Sequence, residues 1–329
     1  MHKKKLSHPN SIGLLDNKYI ILKDFGEGVS CKAYKIWEPN TNKECLAKIF
    51  KEYNIFIENE VKINKEINKY EIPFFTKYIT SSVGEVIINN TKEYKPYIIL
   101  ELCSKGKLLD YVDYTKGILN EKYIKIIFLK IAKAINFLHQ MGICHRDIKL
   151  QNILLDEEYN LKICDFGFSS FITKYKNGRI KKFEDFAGTL QYMAPEIIMR
   201  IPYDGVKADI FSLGVVLFVL RTGKFGFPIA KVFDFYTDPN LILYKYIKEK
   251  NTKLFWNNIE TSYKIELSDE FKELYIKMVS FQPKERPTIE EIFENKYFDD
   301  IRDLTEEELK DYEQRIKDEL KNRELQNNN

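Results

Sequence analysis

The chain lacks most of what marks a secreted, membrane-spanning or nucleic-acid-coating protein. Its 329 residues hold five cysteines, Cys31, Cys45, Cys103, Cys144 and Cys164, and no two form a CxxC pair. That spacing offers no disulfide framework and reads as reduced thiols. Net charge is nearly absent: 52 Lys and Arg stand against 49 Asp and Glu, leaving +3. Such a balance gives no general attraction to nucleic acid or to an anionic membrane. The basic start, with Lys3, Lys4 and Lys5, has no apolar stretch behind it, so no secretory signal is expected. The longest apolar run, 210–220, contains Ser212 and Gly214; it is too short to span a bilayer and reads as a buried helix. No internal repeat is visible, and the three terminal Asn are compositional bias. The expectation is an intracellular protein, cytoplasmic or nuclear, with no nucleic-acid and no membrane partner.

What is present is a core-forming composition, 44% hydrophobic, arranged in two styles. Strands are expected from Tyr19, over 32–37 and 44–50, and around 83–89 and 97–102. One helix is expected at 57–70, where Ile57, Val61 and Ile67 recur at helical spacing. Past Gly106 the period changes. A long amphipathic helix at 119–140 buries Ile124, Ile127, Phe128, Ile131, Ile135 and Leu138, and further helices follow at 208–220, 269–279 and 288–294. A sheet-rich piece before a helical piece implies an α+β protein of two packed lobes, joined near Glu101–Gly106. Residues 1–18 read as a flexible basic segment. Residues 299–329 read as a charged helical tail, opened by the capping box Thr305-Glu306-Glu307-Glu308 and striped by Leu309, Tyr312, Ile316 and Leu320. That tail helix packs on the preceding domain or binds a partner.

The chemistry is concentrated in His145-Arg146-Asp147-Ile148-Lys149-Leu150-Gln151-Asn152 and, after a fixed interval, Asp165-Phe166-Gly167. A carboxylate that can take a proton, an ammonium, an amide and a second carboxylate are the groups that moving a phosphate requires. They supply a base for the hydroxyl, a cation against the phosphate and oxygen ligands for Mg²⁺. The order and spacing resemble the catalytic loop and magnesium motif of the eukaryotic protein kinase family, serine/threonine type. The resemblance covers about 19–298, with the small lobe at about 19–102 and the large lobe at about 103–298. It implies a two-lobed kinase fold with a small antiparallel sheet and one main helix beside a larger helical lobe. It also implies transfer of the γ-phosphate of ATP to Ser or Thr of a protein substrate.

By that resemblance Asp147 is the base, Lys149 neutralises the moving phosphate, and Asn152 and Asp165 hold Mg²⁺. Gly26 and Gly28 let a hairpin lie over the phosphates. Lys48 binds them and pairs with a helix glutamate, Glu60 or, as the alternative, Glu66. Glu101 C=O and Cys103 N–H bond adenine between Ala33, Ala47, Leu100 and Leu154. The run Gly188-Thr189-Leu190-Gln191-Tyr192-Met193-Ala194-Pro195-Glu196 resembles the end of an activation segment. There Thr189 is expected to hydrogen-bond Asp147 and Lys149, and Glu196 to pair with Arg286. Asp209 resembles the residue that fixes the catalytic-loop backbone. Core packing is the reading for Cys144 and Cys164.

Several positions depart from the family pattern. Cys31 and Ala33 follow the glycines, Asn64 stands four residues after Glu60, and Phe211 replaces a Trp. Asp185, after Glu184, stands four residues before Thr189, where many relatives carry a phosphorylated Ser or Thr. A permanent carboxylate there, from Asp185 or Glu184, is expected to pair with Arg146 in place of the phosphate, which implies that activation-segment phosphorylation is not required. Lys107 and Gln151 occupy positions where basophilic relatives carry carboxylates, which implies no preference for Arg upstream of the acceptor. The 230–256 stretch, with Asp238, Tyr244, Ile247 and Phe255-Trp256, looks like the helical lobe of the calcium/calmodulin-dependent group. Two alternatives remain: a pseudokinase-like ATP-binding scaffold, and a small-molecule kinase of the same fold.

Overall fold

Alternating apolar residues in the first hundred positions pair into a single antiparallel sheet. The computed structural model describes residues 8–28, 30–112, 119–223 and 242–327. Residues 1–7, Val29 and the 230–241 part of the 230–256 stretch, including Asp238, lie outside the described residues. The chain divides into two compact units, Met1–Ser104 and Lys105–Asn329.

The smaller unit holds β1 (Gly13–Leu15), β2 (Tyr19–Glu27), β3 (Cys31–Glu38), β4 (Lys43–Phe50), helix α1 (Ile55–Asn68), β5 (Tyr78–Ile88) and β6 (Thr91–Glu101). The strands close in the order β1-β2-β3-β4-β6-β5. β1 corrects the expectation that residues 1–18 are loose: Gly13 pairs with both Ile21 and Ile88, and Leu15 is fully buried. Three residues are too few to show a strand period. Gly13 is needed there, because a Cβ would lie 2.3 Å from Ile87 O. β5 begins at Tyr78 rather than near Val83; the polar Thr80, Ser81 and Ser82 hide its start in the sequence. The Asn54 side chain caps α1 by accepting from the N–H groups of Phe56 and Ile57, which starts the helix two residues earlier than its apolar spacing suggests.

The larger unit contains α2 (Glu121–Gln140), the short strands β7 (Ile143–Cys144), β8 (Ile153–Leu155), β9 (Leu161–Ile163) and β10 (Ser170–Phe171), then α3 (Pro195–Ile198), α4 (Gly205–Thr222), α5 (Ile242–Lys248), α6 (Thr252–Tyr263), α7 (Asp269–Met278), α8 (Ile289–Phe293), α9 (Asp299–Arg302) and α10 (Glu306–Asn327). β8 pairs with β9, and β7 with β10. α4 is buried nearly all round, as a helix apolar on every face must be. α2 turns Ile124, Phe128, Ile131, Ile135 and Leu138 inward, and Phe128 stacks on Phe298 at 5.7 Å. α10 is capped by reciprocal bonds between Thr305 and Glu308 and buries Ile316 and Leu320 in this unit. Among the described residues, no helix is long and apolar enough to cross a membrane.

Candidate active site

The site in the larger unit is built outward from Asp209, a fully buried carboxylate on α4. A buried charge must be matched by donors. Here Arg146 N–H donates to Oδ1 at 2.7 Å, and His145 N–H donates to Oδ2 at 2.8 Å. His139 Nε2 lies 2.8 Å from the same Oδ2. Both backbone donors can reach Asp209 because Arg146 adopts a left-handed backbone, φ 63°. His139, Cys144 and Asp209 offer possible metal-ligand atoms within 4.8 Å of one another. Both Asp209 oxygens are already taken, however, and burial, with Asp209 nearby, pushes the Cys144 thiol far above its ordinary value. The cluster is a lock on the loop backbone.

The lock places Asp147, whose side chain is almost wholly buried. Its Oδ2 accepts from Lys149 Nζ at 2.6 Å and Asn152 Nδ2 at 3.1 Å. Its Oδ1 is buried with no donor. A buried carboxylate oxygen without a donor is costly and suits a group that must receive an external O–H. Lys149 Nζ also donates to Thr189 Oγ1 at 2.7 Å, so one ammonium joins the 145–152 loop to the 188–196 run. The expected bond between Thr189 and Asp147 is absent: Oδ2 is saturated by Lys149 and Asn152, and Oδ1 has no partner. Gly188 makes the approach possible. It has φ 108°, and a Cβ there would sit 2.5 Å from Arg146 O.

Asn152 also donates Nδ2 to Asp147 O at 2.9 Å, which turns its Oδ1 away from those donor bonds. Cys164 N–H donates to Asn152 O at 3.0 Å beside the β8–β9 ladder, so Asn152 and Asp165 stand at neighbouring ends of one hairpin. Asp165 is left-handed, φ 67°, a strained conformation of the kind found where a side chain must be aimed. Two hard oxygen donors, leaving the remaining positions to phosphate and water, fit Mg²⁺. Phe166 is buried against the His145 ring at 5.5 Å. His145 Nδ1 accepts from Asp147 N–H and Nε2 faces Cys164 O, both at 3.3 Å, which assigns the ring proton to Nε2.

In the smaller unit, Lys48 Nζ lies 2.5 Å from Glu60 Oε1, with both side chains largely shielded. Glu66 pairs instead with Lys69 at the surface. Asn64, where an apolar residue is usual, is buried and donates to Glu60 O at 2.9 Å. Ala47 is a correction. It is fully buried in the sheet core with Tyr34, Ile36 and Ile99, on the face opposite Lys48. The residue sharing the Lys48 face is Leu46, opposite Leu100 in the ladder, while Ala33 lies opposite Lys48. The two-residue period of a strand puts Leu46, and not the Ala47 that the motif resemblance implies, on the Lys48 face. Gly26 N–H donates to Asp24 Oδ1 at 2.7 Å and Gly28 N–H to Cys31 O at 2.8 Å, folding the β2–β3 hairpin tip. Glu101 closes β6, its carboxylate accepting Lys77 N–H at 3.0 Å, and the Cys103 side chain is buried. Leu154 lies on β8 and bridges to Lys107.

Two Arg–carboxylate pairs hold the 185–196 stretch. Arg286 donates from Nη1 and Nη2 to the two oxygens of Glu196, each at 2.7 Å. Arg146 Nη1 donates to both oxygens of Asp185 at 2.6 and 2.8 Å, and to Tyr203 OH at 3.1 Å. Burial works against the Arg146 charge, but Tyr203 and Asp185 outweigh it and hold the guanidinium above its ordinary value.

The protein kinase domain model matches residues 19–298. The chain is 29% identical over 297 residues to CBL-interacting serine/threonine-protein kinase 19 of Arabidopsis thaliana, covering 90% of this chain and 56% of that one. It is 32% identical over 279 residues to probable serine/threonine-protein kinase MARK-B of Dictyostelium discoideum, covering 83% and 35%. It is 30% identical over 281 residues to sperm motility kinase 3A of Mus musculus, covering 84% and 49%. The chain spans about half the length of the curated relatives it matches. The sheet-and-helix unit and the larger helical unit are the two lobes of that fold, and the chain belongs to the eukaryotic protein kinase family.

Proposed function

We propose that the protein transfers the γ-phosphate of ATP to Ser or Thr hydroxyls of protein substrates. The observation that carries this reading is the Lys149 ammonium held between Asp147 Oδ2 and Thr189 Oγ1, with Asp147 Oδ1 buried and without a donor. Asp147 Oδ1 orients the acceptor hydroxyl and receives its proton as the phosphoryl group moves. Lys149 neutralises charge on that group. Asn152 and Asp165 are the residues that would hold Mg²⁺, which when bound spreads the negative charge of the phosphates. In the small lobe, Lys48, aimed by Glu60, binds the phosphates beneath the Gly26–Gly28 tip. Glu101 and Cys103 offer adenine backbone bonds, flanked by Ala33, Leu46 and Leu100; in the large lobe, Leu154 is the matching apolar side chain. The Thr189 contact favours a Ser/Thr acceptor.

Three finer features belong to the reading. Asp185 on Arg146 supports activity without activation-segment phosphorylation. Lys107, exposed where a carboxylate would draw substrate Arg, supports a substrate lacking upstream Arg. The cysteine spacing and balanced charge support an intracellular setting. A scaffold that binds ATP without turning it over would be expected to lack one of Lys48, Asp147, Asn152 or Asp165, and all four are present.

A peptide-library phosphorylation assay on phosphatase-treated protein tests the set together. Turnover on Ser/Thr peptides is expected, with Asp147→Asn slower by about 100-fold or more. ATP binding with no turnover would overturn the reading in favour of the scaffold, and dominant selection for upstream Arg would overturn the substrate assignment alone.

A further inference from the structure

The family match ends at residue 298, yet α10, which follows it, reaches back to the parts of the large lobe nearest the chemistry. Arg323 is buried on its inner face; it donates Nε to Glu319 Oε1 at 2.8 Å and Nη1 to Tyr111 O at 3.1 Å. Its neighbour Glu324 accepts from Tyr159 OH and pairs with Lys105 Nζ at 3.3 Å. A glutamate in the last turn of a helix opposes the helix dipole, which favours cations there. Its placement needs another source of stability, and the phenol and the ammonium provide one.

Those two partners lie on different segments. Lys105 starts the strip that continues from Cys103. The strip is tied down by Tyr111 OH donating to Lys105 O at 2.7 Å and by the exchange of Lys105 N–H to Leu155 O at 3.1 Å and Leu155 N–H to Gly106 O at 2.9 Å. Tyr159 sits in the turn of the β8–β9 hairpin with a left-handed backbone, φ 60°. One end of that hairpin follows Asn152 and the other precedes Asp165. The Lys105 ammonium also lies 5.2 Å over the Tyr159 ring, and the Tyr111 and Tyr159 rings meet edge-on at 6.5 Å. A single helical turn therefore grips both the strip that starts at Lys105 and the hairpin whose ends adjoin the candidate metal ligands.

We propose that Arg323 and Glu324 are positioning residues for phosphoryl transfer: the last turn of α10 clamps the 105–111 strip and the 156–160 turn, setting the nucleotide and magnesium groups that those segments lead into. The proposal rests on the kinase reading above. It assigns the tail to the catalytic domain's own geometry rather than to a separate partner. The clamp acts on how tightly Mg·ATP is held rather than on the transfer step, because neither segment carries Asp147, Lys149 or Thr189; the strip does carry Lys107, so peptide KM is free to move with it.

The test uses the full chain with Glu324→Leu, Glu324→Gln and Tyr159→Phe, measured by steady-state peptide phosphorylation at varied Mg·ATP. Glu324→Leu should raise KM for Mg·ATP roughly fivefold, the lower end of typical coupling between sites, with kcat within about twofold. Glu324→Gln keeps an acceptor for Tyr159 and should recover part of that loss. The Glu324→Leu/Tyr159→Phe double variant should be no worse than the weaker single, since the two act as a unit. Amide hydrogen exchange without nucleotide gives a second reading, in which Glu324→Leu should speed exchange over 105–112 and 155–161 but not in α2. An unchanged KM for Mg·ATP, an equal loss in every kinetic constant, or faster exchange confined to α10 would each overturn the clamp. Absence of turnover in the unmutated protein would overturn the kinase reading instead, and the exchange pattern would still decide whether the clamp exists.

Discussion

Two arginine–carboxylate pairs grip the same activation segment, and they differ in how far water reaches them. In the Glu196–Arg286 pair the side chains are 7% and 0% exposed; in the Asp185–Arg146 pair the acid is 51% exposed and only the arginine is hidden. Arg286 is used on three nitrogens, since Nε donates to Ser280 O at 2.9 Å and Nη1 also reaches Lys207 O at 2.9 Å. Arg146 offers one nitrogen to Asp185 and spends Nε on Phe168 O at 2.8 Å. The first pair is part of the core, where losing one partner strands a charge. The second stands at a boundary where solvent can replace the acid, so it can tune order without carrying the fold.

Glu196→Ala should therefore be the most damaging change, costing about 3–5 kcal/mol because Arg286 is left buried and uncompensated. Urea denaturation would measure it, and a loss below about 1 kcal/mol would erase the distinction between the pairs. Gly188→Ala comes next, since Gly188 lies between the two anchors. The left-handed φ and the approach to Arg146 O make any side chain strained there. A cost of roughly 1–3 kcal/mol is expected, together with reduced turnover because Thr189 is displaced from Lys149. Asp185→Ala should move stability by less than about 1 kcal/mol, as expected for a pair open to solvent. It should still lower turnover by about fivefold in low salt, with the difference shrinking as added salt screens the pair. A stability loss as large as that of Glu196→Ala would make the two pairs equivalent.

The parts of the site readable from sequence are those that lie close together along the chain. Asp147, Lys149 and Asn152 share one short loop, so their spacing nearly fixes their bonds. Glu60 and Glu66 are six residues apart, about one and two-thirds helical turns, and so face different ways; only the docking of α1 on the sheet selects Glu60. Leu46 is legible from strand alternation, which puts it on the Lys48 face, whereas the motif resemblance points to its neighbour Ala47. The motif resemblance puts Thr189 beside both Asp147 and Lys149, but the carboxylate's hydrogen-bonding capacity on that side is spent on Lys149 and Asn152. β1 is too short to announce itself. The contacts of Arg323 and Glu324 join segments more than a hundred residues apart, and no local pattern encodes them.

Glu184 gives the finest test of what makes Asp185 special. The two acids are adjacent, and the sequence leaves both open as the group facing Arg146. Phe183 exchanges backbone bonds with Tyr203 at 2.9 and 2.8 Å, which holds this stretch extended at that point. Side chains of an extended chain alternate, so Phe183 and Asp185 fall on one side and Glu184 on the other. The contacts agree: the Arg146 guanidinium lies 4.5 Å over the Phe183 ring while bonding Asp185, and Glu184 is exposed. Glu184→Ala should therefore change neither the urea midpoint nor turnover on Ser/Thr peptides beyond error. Moving the aspartate one position back, by Glu184→Asp with Asp185→Ala, should behave as Asp185→Ala alone. Recovery of activity in that double variant would mean that an aspartate at 184 also reaches Arg146, so that the side of the chain on which the carboxylate stands does not decide which acid orders the segment.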